Sequence, residues 1–214
     1  MNPLVSQTLS TAQTIIEMAA TAAFALSGII VGARKQLDVV GIAVLAFLAA
    51  FGGGTLRDVL LDRRPFFWVA NSWYVWAVLA LCVMAIVTLR RRHLTMTERA
   101  MQWPDACGLG LFAASGTQIA LDAGMPGLIA VLMGVLTAVF GGVLRDIVCN
   151  EIPTAFRDHR PYAVCAFAGG AVVVAIERSI ESPTFALAFG AVLATTLRAL
   201  AIRFDWELPR WQAK

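Results

Sequence analysis

Two dipeptides carry the chemistry in this sequence. Arg57-Asp58 follows three glycines in FGGGTLRDV (51–59), and Arg145-Asp146 follows two in FGGVLRDIV (140–148). A centrally placed arginine in an apolar segment costs roughly 2.5–3.5 kcal/mol on membrane-insertion scales, so it should turn toward water, a carboxylate or carbonyl oxygens. Asp58 and Asp146 are the nearest partners. Glycine costs about 1 kcal/mol relative to alanine in a helix interior. Gly52, Gly53, Gly54, Gly141 and Gly142 therefore predict a kink or an unwound turn just before each arginine. A helix break is tolerated in lipid only where it faces protein or a wet cavity. Two other readings stand beside this one. Paired glycines let helices pack closely, and an Arg-Asp pair can serve as a buried tie or an interfacial snorkel.

Further polar residues interrupt the apolar runs. Ser27 and Ser115 lie mid-span, each followed by glycine. Their hydroxyls can face a polar pathway or bond back to their own helix. Thr117 and Gln118 extend the polar character of the fourth span, and Glu17 and Asp105 are acids early in the first and fourth. Glu17 can face a cavity. Asp105 follows Pro104 and equally suits a helix N-terminus.

The elements that must position these groups follow from composition. The 214 residues are 59% hydrophobic and 14% charged, with mean hydropathy +0.74. A soluble domain cannot hide that much apolar surface. Runs of about 20 apolar residues cross a bilayer as helices, and the absence of period-2 alternation argues against barrel strands. The sequence predicts an all-α integral membrane protein, a single transmembrane domain over 1–214. Its seven spans fall near 12–33, 39–61, 71–90, 104–122, 127–149, 161–177 and 183–201. Loops on one side collect 12 Lys and Arg and those on the other collect 3, which places the rich side in the cytoplasm, the N-terminus outside and the C-terminus inside. RRRH (90–93) reads as a topology anchor rather than a nucleic-acid site. Trp68, Trp73 and Trp76 suit an interfacial belt.

Shifted by 88 positions, the chain aligns on itself without a gap: residues 17–74 against 105–162 share 13 identities in 58. FALSG (24–28) meets FAASG (112–116), Pro65 meets Pro153 and Tyr74 meets Tyr162. The identities concentrate in Ser, Gly, Arg, Asp and Pro, which shared apolar composition does not explain. Each copy holds three spans. Three is odd, so the second copy enters from the opposite side, giving inverted repeats over about 12–90 and 104–177 with a seventh helix at 183–201 outside them. That architecture is typical of proteins that move solutes, with sites where the repeats meet near the midplane at broken helices 2 and 5. No catalytic constellation, cofactor motif or metal-ligand spacing is present. The four cysteines read as small apolar residues, and His93 and His159 as solvated loop residues.

At the paired GG-x-LRD motifs within this 3+3+1 layout, the chain resembles the bacterial branch of the TRIC (trimeric intracellular cation) channels. The same sequence family has also been labelled a "glycine transporter" domain family. The resemblance covers about residues 12–201. It implies a homotrimer with one pore per subunit, lined by the second and fifth helices and passing potassium and, less selectively, sodium. It places hinge positions at Gly52, Gly53, Gly54, Gly141 and Gly142 and basic pore residues at Arg57 and Arg145. It also implies a bacterial inner membrane and no cofactor. Animal members carry Lys-Glu-Val where this chain has Arg-Asp-Val and Arg-Asp-Ile. The residues themselves leave a second class open: an arginine with helix amide ends suits a carboxylate and an aspartate suits an ammonium, as in a transporter for a small zwitterion such as glycine. A structural membrane protein without permeation is the third class.

Overall fold

The computed structural model describes residues 3–92, 98–180 and 182–209. His93, Arg210 and Lys214, and the side chains of Arg90, Arg91 and Arg92, fall outside the described residues, so the topology anchor expected there is not addressed. The described chain is all-helical. Seven long helices are α1 (Pro3–Arg34), α2 (Val39–Leu60), α4 (Trp73–Arg92), α5 (Glu98–Asp122), α6 (Gly127–Val148), α8 (Ala163–Ile180) and α9 (Pro183–Arg203). Two one-turn helices, α3 (Phe67–Ala70) and α7 (Thr154–Arg157), sit in the connections after α2 and α6. Four helices are long and apolar enough to cross a membrane by length and composition: α1 from Thr11, α2, α6 and α9. The other three expected spans, α4, α5 and α8, pack alongside them.

Helix α5 explains why composition alone understates the count. It packs against α1, α6, α8 and α9. It buries Gln102, Asp105, Ser115, Thr117 and Gln118 among apolar neighbours such as Leu109 and Phe112. A helix enclosed by protein need not be apolar all round, because its polar groups find partners inside the bundle. It begins six residues earlier than the expected span and runs through Pro104, so Asp105 does not start a helix, as one reading of the sequence had it.

The two halves run antiparallel. Gln13, early in α1, donates to Asp122 at the end of α5. At the opposite end, Lys35 after α1 pairs with Glu151 after α6. The lysine's hydrogen bond holds the Glu151 carboxyl below its ordinary range. This is the arrangement an odd number of spans per repeat requires.

Helices α2 and α6 cross at the centre, and here the structure corrects the sequence reading. Both are α-helical from end to end, so the broken helices 2 and 5 with an unwound turn at the glycines are not observed. The glycines serve close approach instead. A Cβ on Gly53 would overlap the Thr137 carbonyl oxygen, and a Cβ on Gly141 would overlap that of Ala49. These two contacts exchange under the 88-residue shift, so the pseudo-two-fold axis passes through the crossing. Ala49 and Gly53, like Thr137 and Gly141, lie four apart, the small-residue spacing that lets helix backbones touch. Gly54 faces the Phe67 ring, Gly52 faces the flexible end of Leu144, and a Cβ on Gly142 would make only ordinary contact with Tyr162 and Asp105.

Candidate functional site

Each half builds one charged cluster, and the two clusters lie toward opposite ends of the bundle. In the first, Arg57 near the end of α2 is fully buried. Its Nη1 donates to Glu17 Oε1 at 2.6 Å and its Nε to Asp58 Oδ1 at 2.9 Å. Nη2 also lies 2.9 Å from Asp58 Oδ1, an ion-pair contact without a hydrogen bond of its own. The guanidinium sits over the Phe67 ring, 5.4 Å from its centroid. In the second cluster Arg145 near the end of α6 is buried likewise. Its Nη1 donates to Asp105 Oδ1 at 2.8 Å and its Nε to Asp146 Oδ1 at 2.8 Å. Ser27 Oγ accepts a further short bond from Nη1.

In both halves the second carboxylate stands 40 positions before its arginine. Glu17 and Asp105, predicted only as polar lining, are therefore first-rank partners of the guanidinium groups. The signal was present in the sequence: an acid recurs at the same place in each repeat. Their partnership was missed because nothing in one helix says which face of another it meets.

Asp58 and Asp146 do more than pair. Asp58 Oδ2 accepts the Phe67 backbone N–H at 2.9 Å. Asp146 Oδ2 accepts the Thr154 backbone N–H and hydroxyl, both at 2.8 Å. Each aspartate thus ties its neighbouring arginine to the one-turn helix that follows, α3 or α7, fixing the chain where it turns back over the cluster. Thr154 was not anticipated; the only trace of its role is the proline that recurs at 65 and 153 after each aspartate.

The remaining expected site residues divide. Ser27 joins the Arg145 cluster and also lies 3.4 Å from Asp105, so its hydroxyl does not bond back to its helix. Its counterpart Ser115 is buried with no partner for its hydroxyl. Thr117 bonds back to the Ala113 carbonyl at 2.8 Å and packs where α5 meets α6 and α8, beside Gly134 and Gly170. Gln118 is buried elsewhere, donating to Asp122 at 3.1 Å and to Glu177 at 3.2 Å. The structure therefore does not bring Thr117 or Gln118 to either arginine. Trp73 and Trp76 are exposed, as a belt requires, whereas Trp68 donates to Thr55 at 3.0 Å. His159 is exposed in its loop.

Two cavities lie toward opposite ends of the bundle, and the first of them reaches a cluster directly. One of about 220 Å³ reaches Glu17 and Asp58, with Gln13, Asn71 and Tyr74 on its wall. Another of about 370 Å³ at the opposite end is lined by Gln102, Arg99, Arg157 and Asp158. Gln102 lies one turn before Asp105 on α5. Between the cavities stand the two buried guanidinium clusters and the α2–α6 crossing. The arrangement is a pair of polar cavities with two buried charged clusters between them. The Arg145 cluster sets one guanidinium against two carboxylates, whereas in the Arg57 cluster the half-exposed Arg63 also lies 3.9 Å from Asp58, so two guanidinium groups face two carboxylates.

Comparison with known proteins adds an independent view of the same halves. The glycine transporter family model matches residues 14–90 and again 102–178, two segments offset by the repeat length. A UPF0126 membrane protein of Vibrio cholerae is 35% identical over 91% of this chain and 81% of its own length. The UPF0126 inner membrane protein YadS of Escherichia coli is 34% identical over 91% of this chain and 93% of its own. Among solved structures, a TRIC trimeric intracellular cation channel orthologue from Rhodobacter sphaeroides superposes with TM-score 0.85 and 34% identity, covering 92% of this chain and 100% of that one.

Proposed function

The chain belongs to the glycine transporter family, and from that premise we propose that it is a passive monovalent-cation channel of the TRIC type, conducting potassium through a pore within each subunit of a homotrimer. The observation that carries this reading is the make-up of the two constrictions. A bare arginine would repel a cation, but Arg57 is matched by Glu17 and Asp58, and Arg145 by Asp105 and Asp146. At Arg145 the excess charge is negative, so it attracts cations and repels anions; at Arg57 the half-exposed Arg63, 3.9 Å from Asp58, brings the charges into balance and removes the net repulsion of a cation. The solved orthologue of Rhodobacter sphaeroides, described as a trimeric cation channel, supports both the ion class and the assembly.

In this reading the route runs from the cavity at Glu17 and Asp58, past Arg57, along the α2–α6 crossing, past Arg145 and Ser27, to the cavity at Gln102. The arginines act as gates. Burial of both guanidinium groups supports a closed route in this conformation, which opens in this reading by a shift of α2 or α6 about the close contacts at Gly53 and Gly141. The glycines Gly52, Gly54 and Gly142 allow that shift without a side chain in the way. The chain sits in a bacterial inner membrane, with Glu17 and Arg57 toward the periplasm and Arg145 toward the cytoplasm, supported by the basic loops at the Arg145 end.

The zwitterion alternative is less well supported. A substrate carboxylate needs a guanidinium whose charge is not already offset, and each arginine here is already paired with two carboxylates. Recording from protein reconstituted in planar bilayers under a KCl gradient tests the proposal. Unitary currents reversing toward the potassium equilibrium potential support it. Saturable, counter-ion-coupled glycine uptake without unitary currents would replace it with a transporter.

A further inference from the structure

Three arginines are among the largest fully buried side chains, and the third, Arg198, belongs to α9, the helix with no counterpart in either repeat. It grips one short segment from several directions. Nη2 donates to Asp158 Oδ2 at 3.0 Å, Nη1 donates to the Pro161 carbonyl at 3.0 Å and lies 3.4 Å from that of Arg160, and the guanidinium carbon stands 4.8 Å from the centre of the Tyr162 ring. Tyr162 in turn donates its hydroxyl to Asp105 Oδ2 at 2.7 Å, and the other oxygen of that carboxylate holds Arg145. A continuous path of contacts therefore runs from α9 through Tyr162 and Asp105 to the Arg145 guanidinium.

The first repeat lacks this brace. Tyr74, the counterpart of Tyr162, packs its ring on Phe67 and Trp73, and its hydroxyl lies 3.4 Å from the Thr14 carbonyl rather than on Glu17. Phe67, which covers Arg57, has only Ala155 as its counterpart in the second repeat. The two clusters share their core of one arginine and two acids but are steadied differently: the first by an aromatic ring of its own repeat, the second by a cation from outside both repeats.

We propose that Arg198 is a positioning residue for the Arg145 constriction: by fixing the backbone at 160–161 and stacking on Tyr162, it keeps the tyrosine hydroxyl on Asp105 and so holds this gate, and not the Arg57 gate, in its closed arrangement. The assignment rests on the channel reading above. It makes the seventh helix the element through which the C-terminal side acts on the pore. The link continues outward, because Asp158 also accepts from Arg160 Nε at 2.8 Å, Arg160 reaches Asp205 at 3.2 Å, and the Leu208 N–H donates to the His159 carbonyl.

The test is single-channel recording of the full-length protein in planar bilayers, comparing wild type with Arg198→Met, Arg198→Lys and Tyr162→Phe. Loss of a desolvated cation–ring contact and its hydrogen bonds should raise open probability on the order of tenfold in Arg198→Met, with unitary conductance unchanged. Arg198→Lys, which keeps a charge over the ring, should fall between wild type and Arg198→Met. Tyr162→Phe should raise open probability in the same direction, and Arg198→Met added to it should change little more, since both act through one contact path. A purely structural role would lower the number of active channels without altering the open probability of those that remain. Open probability unchanged or lowered in Arg198→Met and Tyr162→Phe, or additive effects in the double variant, overturns the assignment. If Arg198→Met does not fold, Arg198→Lys and Tyr162→Phe decide by the same readout. A silent wild type overturns the channel reading itself, whereas wild-type currents with unaltered variants overturn only the role of Arg198.

Discussion

Replacing Asp105 by asparagine perturbs one constriction with almost no change in volume. In the native protein the Asp105 carboxylate is 3% exposed, 2.8 Å from Arg145 Nη1 and 2.7 Å from the Tyr162 hydroxyl. The substitution leaves Arg145 with Asp146 alone and brings the cluster from one excess negative charge to neutrality. A cation about 5 Å from that lost charge forfeits roughly 3 kcal/mol at an effective dielectric of about 20, and roughly 1 kcal/mol where water screens as in bulk. Cation occupancy at the constriction should therefore fall by a factor of roughly 5 to 150. Breaking a buried ion pair costs about 3–5 kcal/mol when a charge is left uncompensated; Asp146 remains bonded to Arg145, so the loss of folding stability should lie below that range. The assay is the reversal potential of reconstituted Asp105→Asn under a KCl gradient, with thermal unfolding in detergent to confirm a folded protein. Reversal should move toward zero relative to wild type, and Glu17→Gln should act alike at the other cluster. A folded Asp105→Asn variant with wild-type reversal and conductance would refute the argument that the second carboxylate sets the sign of the permeant ion.

Other substitutions probe the scaffold around the clusters. Gly53→Ala places a Cβ onto the Thr137 carbonyl oxygen and should lower stability by about 1–3 kcal/mol, seen as a reduced thermal midpoint; Gly52→Ala meets only the flexible end of Leu144 and should cost less. Ser27→Ala removes an acceptor from the Arg145 guanidinium and should cost about 1.5–3 kcal/mol in thermal unfolding, the usual worth of a hydrogen bond to a charged group. Burial by itself would raise the Asp158 carboxyl, but hydrogen bonds from Arg160 and Arg198 hold it below its ordinary value of 3.8. Its contribution to stability is then present above the unfolded value and lost as pH falls through the lower folded one. The thermal midpoint should thus hold from pH 7 to 5 and drop below about pH 4, with a smaller drop in Asp158→Asn.

The architecture was legible because its signals are redundant. Apolar runs of membrane length, the alternating basic loops and an 88-residue self-match all specify the same layout of seven long helices in two inverted halves, and α2, α4, α6, α8 and α9 lie within three residues of where the pattern put them, while α1 and α5 start earlier. Arg57 with Asp58 and Arg145 with Asp146 were legible as pairs because adjacent charges in an oily segment have few other ways to be satisfied. The glycines misled for a physical reason. A run such as Gly52-Gly53-Gly54 weakens a helix in isolation, but tertiary contact decides the outcome, and the absence of a Cβ is used where α2 meets Thr137 and α6 meets Ala49. The roles of Glu17, Asp105, Thr154 and Tyr162 depend on which helix faces meet, which one chain read linearly does not contain. Arg198 was visible only as one more basic residue near a helix end. Its burial against Tyr162 comes from α9 folding back over the second repeat.

The most direct measurement of the central claim is the reversal potential of single-channel currents from the wild-type protein across a tenfold KCl gradient. One cluster with a guanidinium against two carboxylates at Arg145, and one with balanced charge at Arg57, predict currents that reverse toward the potassium equilibrium potential. Reversal toward the chloride equilibrium potential would contradict the account, because it would mean that Arg57 and Arg145, and not the acids around them, set the charge an ion meets.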